Sequence, residues 1–130
     1  MMKIDKIAAH GDKPIKVTHK AILLTINRLY RSGMTSQELY ETARGFWRVG
    51  PRKDKAEYAI VLLKGIVLEV YRIEQWYPAG TLEYHTRDSS NFKNSRRWEF
   101  SGEVAYEIRD EYVDFLVGKG NQNPIRYRNV

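Results

Sequence analysis

The chain has 130 residues, 42% of them hydrophobic, and no cysteine, which fits one domain and excludes disulfides, thiolate nucleophiles and cysteine-ligated metal centres. Its 22 Lys and Arg residues outnumber 16 Asp and Glu residues, so the formal net charge is +6 and the pI is near 9.5. Such a surplus attracts polyanions, and a nucleic acid, an anionic surface or an acidic protein is the first partner to consider. We expect a single domain over residues 1–130, with residues 1–15 as a candidate for a loosely packed arm.

Targeting and membrane signals are missing from the sequence. Lys3, Asp5 and Lys6 interrupt the N-terminal stretch, where a signal peptide needs an unbroken apolar run. The longest apolar run, residues 59–63, is far shorter than the ~20 residues that cross a bilayer. We therefore expect a cytoplasmic protein with no membrane partner.

The first elements in chain order are a strand and a helix. Residues 16–26 form a short run rich in aliphatic and β-branched side chains, which favours a buried strand. After a basic stretch, Thr35 and Glu38 have the spacing of a capping box, in which hydroxyl and carboxylate satisfy the free backbone donors of a first helical turn. Gly45 is a natural stop because glycine adopts the left-handed C-terminal cap without strain. The pattern predicts a helix over residues 36–44.

A hairpin is the strongest fold signal in the chain. Two β-rich runs, residues 58–63 and 66–73, are joined by the two-residue turn Lys64-Gly65. Both faces of the second run are largely apolar, so the hairpin is expected at the centre of a sheet. A long polar loop over 87–97, a strand over 97–101, a helix with an acidic face over 103–114 and a last strand after Pro124 complete the prediction. The expected class is α+β: an antiparallel curled sheet or small β-barrel with two helices.

Basic and aromatic residues alternate after the predicted helix. Arginine offers forked donors to phosphate, and an interleaved tryptophan offers a stacking surface to an unpaired base. The competing interpretation is a solvated loop beside a core tryptophan. A second basic group lies in the polar loop, where Arg96 and Arg97 would close over a phosphate backbone. The predicted interface comprises Arg44, Trp47, Arg48, Arg52, Lys53, Trp76, Arg96 and Arg97.

Trp76 belongs to this set because it belongs to an aromatic group with Tyr77, Tyr84 and Trp98 near the end of the hairpin. Two such rings could sandwich a flipped or single-stranded base. Alternatively, they fill the core of a small barrel. The alternation of Trp98 with Phe100 favours the core for Trp98 and leaves Trp76 open.

Catalytic signals are weak. The three histidines, His10, His19 and His85, lack metal-ligand spacing. Two of the carboxylates Glu57, Glu69 and Glu74 could hold Mg²⁺ in a nuclease, but no Asp-x-Lys or Glu-x-Lys tripeptide follows them, so Glu69 is better explained by an ion pair with an arginine. We predict no catalytic residue, no metal ligand and no cofactor.

Several segments together carry a resemblance. They are LYETARGFWR (39–48), GIVLEVYRI (65–73) with Trp76, RWEFSG (97–102) and NPIRYRN (123–129). From about Lys20 onward, the chain resembles a family of small prokaryotic proteins of uncharacterised function. In architecture it is more distantly similar to PUA-like domains, the group of EVE, ASCH and SRA modules. That resemblance implies a compact curled sheet that binds RNA or modified DNA bases.

These observations predict a non-enzymatic module that binds nucleic acid, RNA or DNA, and recognises a single-stranded, flipped or modified base. One alternative is a protein-interaction or self-assembling domain, a homo-oligomer for example, with a basic face over 44–55 and an acidic face over 103–114. A metal-dependent nuclease is the other.

Overall fold

A single five-stranded sheet organises the chain in the computed structural model, which describes residues 13–118 and 123–130. The strand order is β4-β3-β2-β1-β5, so β4 and β5 form the two open edges. Most of the predicted N-terminal arm, residues 1–12, lies outside the described residues. The elements are β1 (Ala21–Thr25), α1 (Ser36–Arg44), a 3₁₀ turn (Pro51–Lys55), β2 (Tyr58–Leu63), β3 (Ile66–Pro78), β4 (Trp98–Val104), a second 3₁₀ turn (Arg109–Glu111) and β5 (Ile125–Arg128).

The predicted α+β class is confirmed, with a curled sheet that does not close into a barrel. One part of the prediction is wrong: the sheet is mixed, because β1 and β2 run parallel while the other neighbours are antiparallel. Parallel neighbours need a long crossover between them, and the segment that carries α1 provides it. The parallel pair places the carboxyl ends of β1 and β2 at the same end of the sheet.

Apolar side chains cover both faces of the central strands. Leu23 packs into one core cluster and its neighbour Ile22 into the other, and both are fully buried. Ala43 of α1 and Trp47 cover one face, while Tyr112 and its neighbours after β4 cover the opposite face. A strand buried on both sides has no polar alternation, which explains the continuous apolar runs in the sequence.

The helix and the hairpin form as local signals predict. Thr35 Oγ1 accepts from Glu38 N at 3.1 Å, and Glu38 Oε1 accepts from Thr35 N at 3.0 Å, so the capping box is complete. Both turn residues of the hairpin have positive φ, 50° at Lys64 and 84° at Gly65, as a tight two-residue hairpin turn requires. The second strand extends past the predicted end to Pro78.

The second predicted helix is wrong, and α1 is the only α-helix among the described residues. Residues 103–104 still belong to β4, and Val104 pairs with Tyr71 of β3. Ala105 N then donates to Val70 O at 2.8 Å before the chain turns. The helical spacing of Val104, Ile108 and Tyr112 therefore reflects side chains that pack on the sheet through turns, because tertiary pairing outweighs a weak helical propensity. The predicted last strand is confirmed as β5.

Candidate nucleic-acid interface

A groove lies at the end of the sheet where the parallel strands β1 and β2 have their carboxyl ends. Thr25 and Ile26 supply the β1 side, and the turn Lys64-Gly65 supplies the β2 side. The chain after α1, the polar loop and the start of β5 complete the lining. The groove has a volume of about 1210 Å³. We call it the basic groove for the reason that follows.

The charge of this groove has one sign. Six cationic side chains line it, and no Asp or Glu among the described residues does. They come from five separate parts of the chain, so folding concentrates charge that the sequence disperses. Low-dielectric walls around like charges strengthen the local potential for an anion. The six are Arg28, Arg48, Lys64, Arg87, Arg97 and Arg126.

Three of these cations are exposed and available to a ligand. Arg28, Arg48 and Lys64 all lie at the surface, and none of the salt bridges among the described residues involves them. An exposed arginine or lysine without a carboxylate partner retains its full attraction for phosphate.

Arg126 lies deeper and is poorly compensated. Its Nη2 donates to Gly118 O at 3.1 Å, but its Nε is buried with no hydrogen-bond partner among the described residues. Burial lowers the pKa of Arg126, and the nearby Arg128 lowers it further. A half-buried cation beside another cation gains most from an anion in the groove.

Arg97 lies over an aromatic column that lines the groove. Its guanidinium carbon lies 4.7 Å from the centroid of the Phe46 ring. Phe46 stacks on Phe92 with centroids 4.1 Å apart and 24° between the planes, and Phe92 is 1% exposed. The Arg97 backbone is fixed as well, because its carbonyl accepts from Ala79 N at 2.9 Å.

Two buried glutamates hold the long polar loop, which in the structure is the whole connection between β3 and β4, residues 79–97, and supplies Arg87 and Arg97. Glu99 of β4 accepts from the backbone of residues 80–82 and from Tyr84 Oη at 2.8 Å. Glu41 of α1 accepts from His85 N and Thr86 N, both at 2.8 Å, and from Thr86 Oγ1 at 3.0 Å. The loop is therefore attached to the helix and to the sheet at defined points.

Hydrogen bonding overcomes burial at Glu41. Burial by itself raises a carboxyl pKa, but the donors from Gln37, Thr86 and His85 favour the ionised form and lower the pKa of Glu41 from 4.5 to about 2. Glu41 is thus an anion at neutral pH.

Arg87 has a structural role besides its place in the groove. Its Nη1 donates to Gly45 O at 2.7 Å and to Glu41 O at 3.1 Å, which are carbonyls at the end of α1. A cation there satisfies acceptors that the last helical turn leaves free and interacts favourably with the helix dipole. Burial lowers the pKa of Arg87.

Gly45 ends α1 where predicted, but for a different reason. Its backbone is extended, with φ −156° and ψ 161°, and not left-handed. A β-carbon at this position would overlap the Tyr84 hydroxyl and lie 3.2 Å from Glu99 Cβ. The glycine gives the polar loop room to approach the helix terminus.

The structure brings three of the predicted interface residues into the basic groove: Trp47, Arg48 and Arg97. Trp47 is 8% exposed, and its indole N–H donates to Ala43 O at 2.8 Å, so it forms part of the groove floor and of the core. Arg96 is exposed in the polar loop, outside the groove lining.

Three other predicted cations contact aromatic rings elsewhere. Arg44 is 7% exposed, lies 4.4 Å from the Tyr84 centroid and donates to the Glu83 carbonyl. Lys53 is 6% exposed, with its ammonium 4.1 Å from the Trp98 ring. Arg52 is exposed, but it donates to Val130 O at 3.0 Å and lies over Tyr127. These contacts are those of side chains that support the fold.

Trp76 lines a second cleft of about 610 Å³ with Lys53 and Trp98, and this cleft shares no lining residue with the basic groove. It packs edge-on against Phe100, 5.3 Å between centroids. Glu57 and Glu74 also line this cleft, but among the residues described no three His, Asp or Glu side chains come together in a way that could hold a metal ion.

Glu69 pairs with an arginine, as predicted. Arg109 Nε donates to Glu69 Oε1 at 2.8 Å. The acidic segment over 103–114 is partly neutralised too, because Arg72 bonds both Glu103, at 3.1 Å, and Glu107, at 2.8 Å.

No family model, curated protein or solved structure matches this chain. The resemblance to small prokaryotic proteins and to PUA-like domains therefore stays a prediction. Within the described residues, no helix combines the length and the apolar character that crossing a bilayer demands.

Arg28, Lys64, Arg87 and Arg126 are groove cations that the sequence-based interface omits. Arg28 and Lys64 each follow a predicted strand, and this position is the signal that could have found them: cations that follow two neighbouring strands lie at the same end of the sheet if the strands are parallel. An antiparallel prediction for β1 and β2 places those ends apart.

Proposed function

We propose that the protein binds nucleic acid through the basic groove. The observation that carries this proposal is the groove's lining of six cations without a carboxylate among the described residues. Phosphate oxygens are strong acceptors, and arginine is the side chain best suited to them because its planar fork donates in pairs. Apolar side chains such as Leu29, Phe46 and Ile125 also line the groove, so its surface suits a ligand with both charged and apolar parts.

In this proposal, the exposed cations and the deeper cations contact different parts of the ligand. Arg28, Arg48 and Lys64 contact phosphates, since they are exposed and lack carboxylate partners among the described residues. Arg97 and Arg126 lie deeper and meet the part of the ligand that enters the groove. Among the residues of the sequence-predicted interface, Arg48 and Arg97 contact phosphates or bases in this proposal, and Trp47 supports the groove lining.

Charge reversal tests the proposal. We expect Arg28→Glu/Arg48→Glu/Lys64→Glu to weaken binding of fluorescein-labelled 20-mers, DNA and RNA, by at least ~100-fold at 50 mM salt, because several phosphate contacts are lost together. For the unchanged protein, log affinity should fall with log salt with a slope of about −2 to −4. Fluorescence anisotropy measures both.

A matched control makes the same change in charge at the other end of the sheet, where β1 and β2 begin. Lys16→Glu/Lys20→Glu/Lys55→Glu alters exposed lysines that precede β1 and β2, so it lowers the net charge equally at the other ends of the same strands. We expect it to weaken binding by less than about tenfold, through the overall field alone. Equal losses in both triple variants, or no binding by the unchanged protein, would overturn the proposal.

A further inference from the structure

We infer that the basic groove takes a single nucleic-acid strand and that Arg97 on Phe46 is the platform on which one base stacks. This inference rests on the proposed function and specifies its ligand. Shared chemistry defines that ligand: a phosphate backbone whose bases are not paired, from either RNA or DNA.

The aromatic column is built before any ligand binds. Phe92 is buried and stacked on Phe46, and Arg97 lies over the Phe46 ring. Tyr84 contacts Phe92 edge-on, with 5.0 Å between the ring centroids, and so helps to position the ring on which Phe46 stacks. Because the contact with the Phe46 ring positions the Arg97 guanidinium, a base that stacks on Arg97 need not order a mobile side chain first.

Apolar surface in the groove points to bases as well as phosphates. Leu29 lines the groove and is 44% exposed, and the other exposed large hydrophobic residue in the described ranges, Tyr106, is not part of the groove. A duplex presents mainly phosphates, because its base faces are stacked inside. A single strand presents base faces that stack on arginine or aromatic planes and contact aliphatic side chains.

Four probes of one length test the inference with the full chain. They are a single-stranded DNA 12-mer, the RNA of the same sequence, the duplex of that DNA, and a DNA strand in which abasic sites replace the central six bases. We expect both single strands to bind at least ~10-fold more tightly than the duplex and the abasic strand, since stacking is lost in the last two. RNA and DNA affinities within threefold of each other mean that the groove reads the shared backbone and base faces. A larger preference identifies the natural source of the strand.

Two variants assign the effect to the platform. Arg97→Lys keeps the charge but loses the planar stack, so we expect about tenfold weaker binding of the complete strand and less than twofold change for the abasic strand. Leu29→Ala, at an exposed position, should act in the same direction, about threefold, and keeps the test valid if Arg97→Lys alters folding. Arg31→Lys is the control, because Arg31 is exposed, lies outside the groove lining and has no ring contact among the described residues, and it should change neither affinity by more than twofold.

Failure of the inference is distinct from failure of the proposed function. If the groove triple variant abolishes binding but duplex and abasic strands bind as well as the complete strand, the groove binds phosphates only and the platform is wrong. If no probe binds in a groove-dependent way, both are wrong.

Discussion

Glu41 of α1 accepts two hydrogen bonds from Thr86, one from the backbone N at 2.8 Å and one from the hydroxyl at 3.0 Å. The contact joins the helix to the long polar loop that carries Arg87 and Arg97. One buried carboxylate therefore helps to position two of the cations in the basic groove.

Neutralising this carboxylate should destabilise the fold in a pH-dependent way. The pKa of Glu41 is about 2 in the folded protein against an ordinary 4.5, so its ionised form stabilises the fold above pH 4.5 and this stabilisation is lost as the pH falls toward 2. We expect Glu41→Gln to lower the free energy of unfolding by about 1–3 kcal/mol at pH 7. Urea titrations followed by tryptophan fluorescence should show the difference from wild type shrinking between pH 4.5 and 2. Glu111→Gln, at an exposed position, should have no effect, and a Glu41 deficit that persists at pH 2 would contradict the assignment.

The glycine at the end of α1 should tolerate no side chain. A β-carbon at Gly45 would overlap the Tyr84 hydroxyl, whereas one at Gly50 would meet nothing within 4 Å. We expect Gly45→Ala to lower the free energy of unfolding by about 1–3 kcal/mol through overpacking. Gly50→Ala should be neutral or stabilise by up to about 1 kcal/mol, because it reduces the freedom of the unfolded chain. Thermal unfolding of the two variants compares them directly, and equal effects would show that the approach of Tyr84 is not tight.

Two ion pairs that differ in burial should differ in how much they stabilise the fold. Arg109 and Glu69 have side chains 29% and 15% exposed, and Arg109 donates to both carboxylate oxygens. Arg72 and Glu103 are 44% and 66% exposed. We expect Glu69→Gln to cost about 1.5–3 kcal/mol and Glu103→Gln less than about 0.5 kcal/mol, since solvent screens the second pair. Unfolding in urea at 50 and 500 mM salt checks this ranking; a Glu103 variant as unstable as the Glu69 variant would reverse it.

Polyanions should stabilise the protein itself. The basic groove holds like charges close together, so an anion that binds the folded state raises the free energy of unfolding by RT ln(1 + [L]/Kd), about 2.7 kcal/mol at one hundred times Kd. We expect inorganic tripolyphosphate to raise the Tm by several degrees, and sodium chloride at equal ionic strength to do so far less. The Arg28→Glu/Arg48→Glu/Lys64→Glu variant should lose the response. A response unchanged in that variant would locate the anion elsewhere.

Local signals predicted the local structure of this chain well. The capping box of Thr35 and Glu38 located α1, and the Lys64-Gly65 turn located the hairpin, because these elements are determined by residues close in sequence. The direction of β1 relative to β2 was beyond such signals, since it depends on how the intervening segment packs on the sheet. The acidic stretch was assigned to a helix because spacing alone does not reveal that residues 103–104 continue β4.

The binding surface was harder to predict than the fold. Clustering in sequence selected residues 44–55, but consecutive positions on a helix or a 3₁₀ turn project in different directions. Arg44 accordingly contacts the Tyr84 ring and Lys53 contacts the Trp98 ring. Among the cations of residues 44–55, only Arg48 lines the groove. Lys64 and Arg126 are far apart in the sequence and line the same groove because β2 and β5 flank β1 in the sheet.

The attachment of the polar loop by Glu41 and Glu99 also separates two kinds of position within it. Residues whose backbone or side chain meets these carboxylates, such as Thr86 and Tyr84, are tied to the fold. Exposed residues such as Arg96 and Lys93 take no part in those bonds. The loop can therefore serve as a site for diversification, where exposed residues outside the groove are varied while the carboxylate anchors keep the scaffold folded.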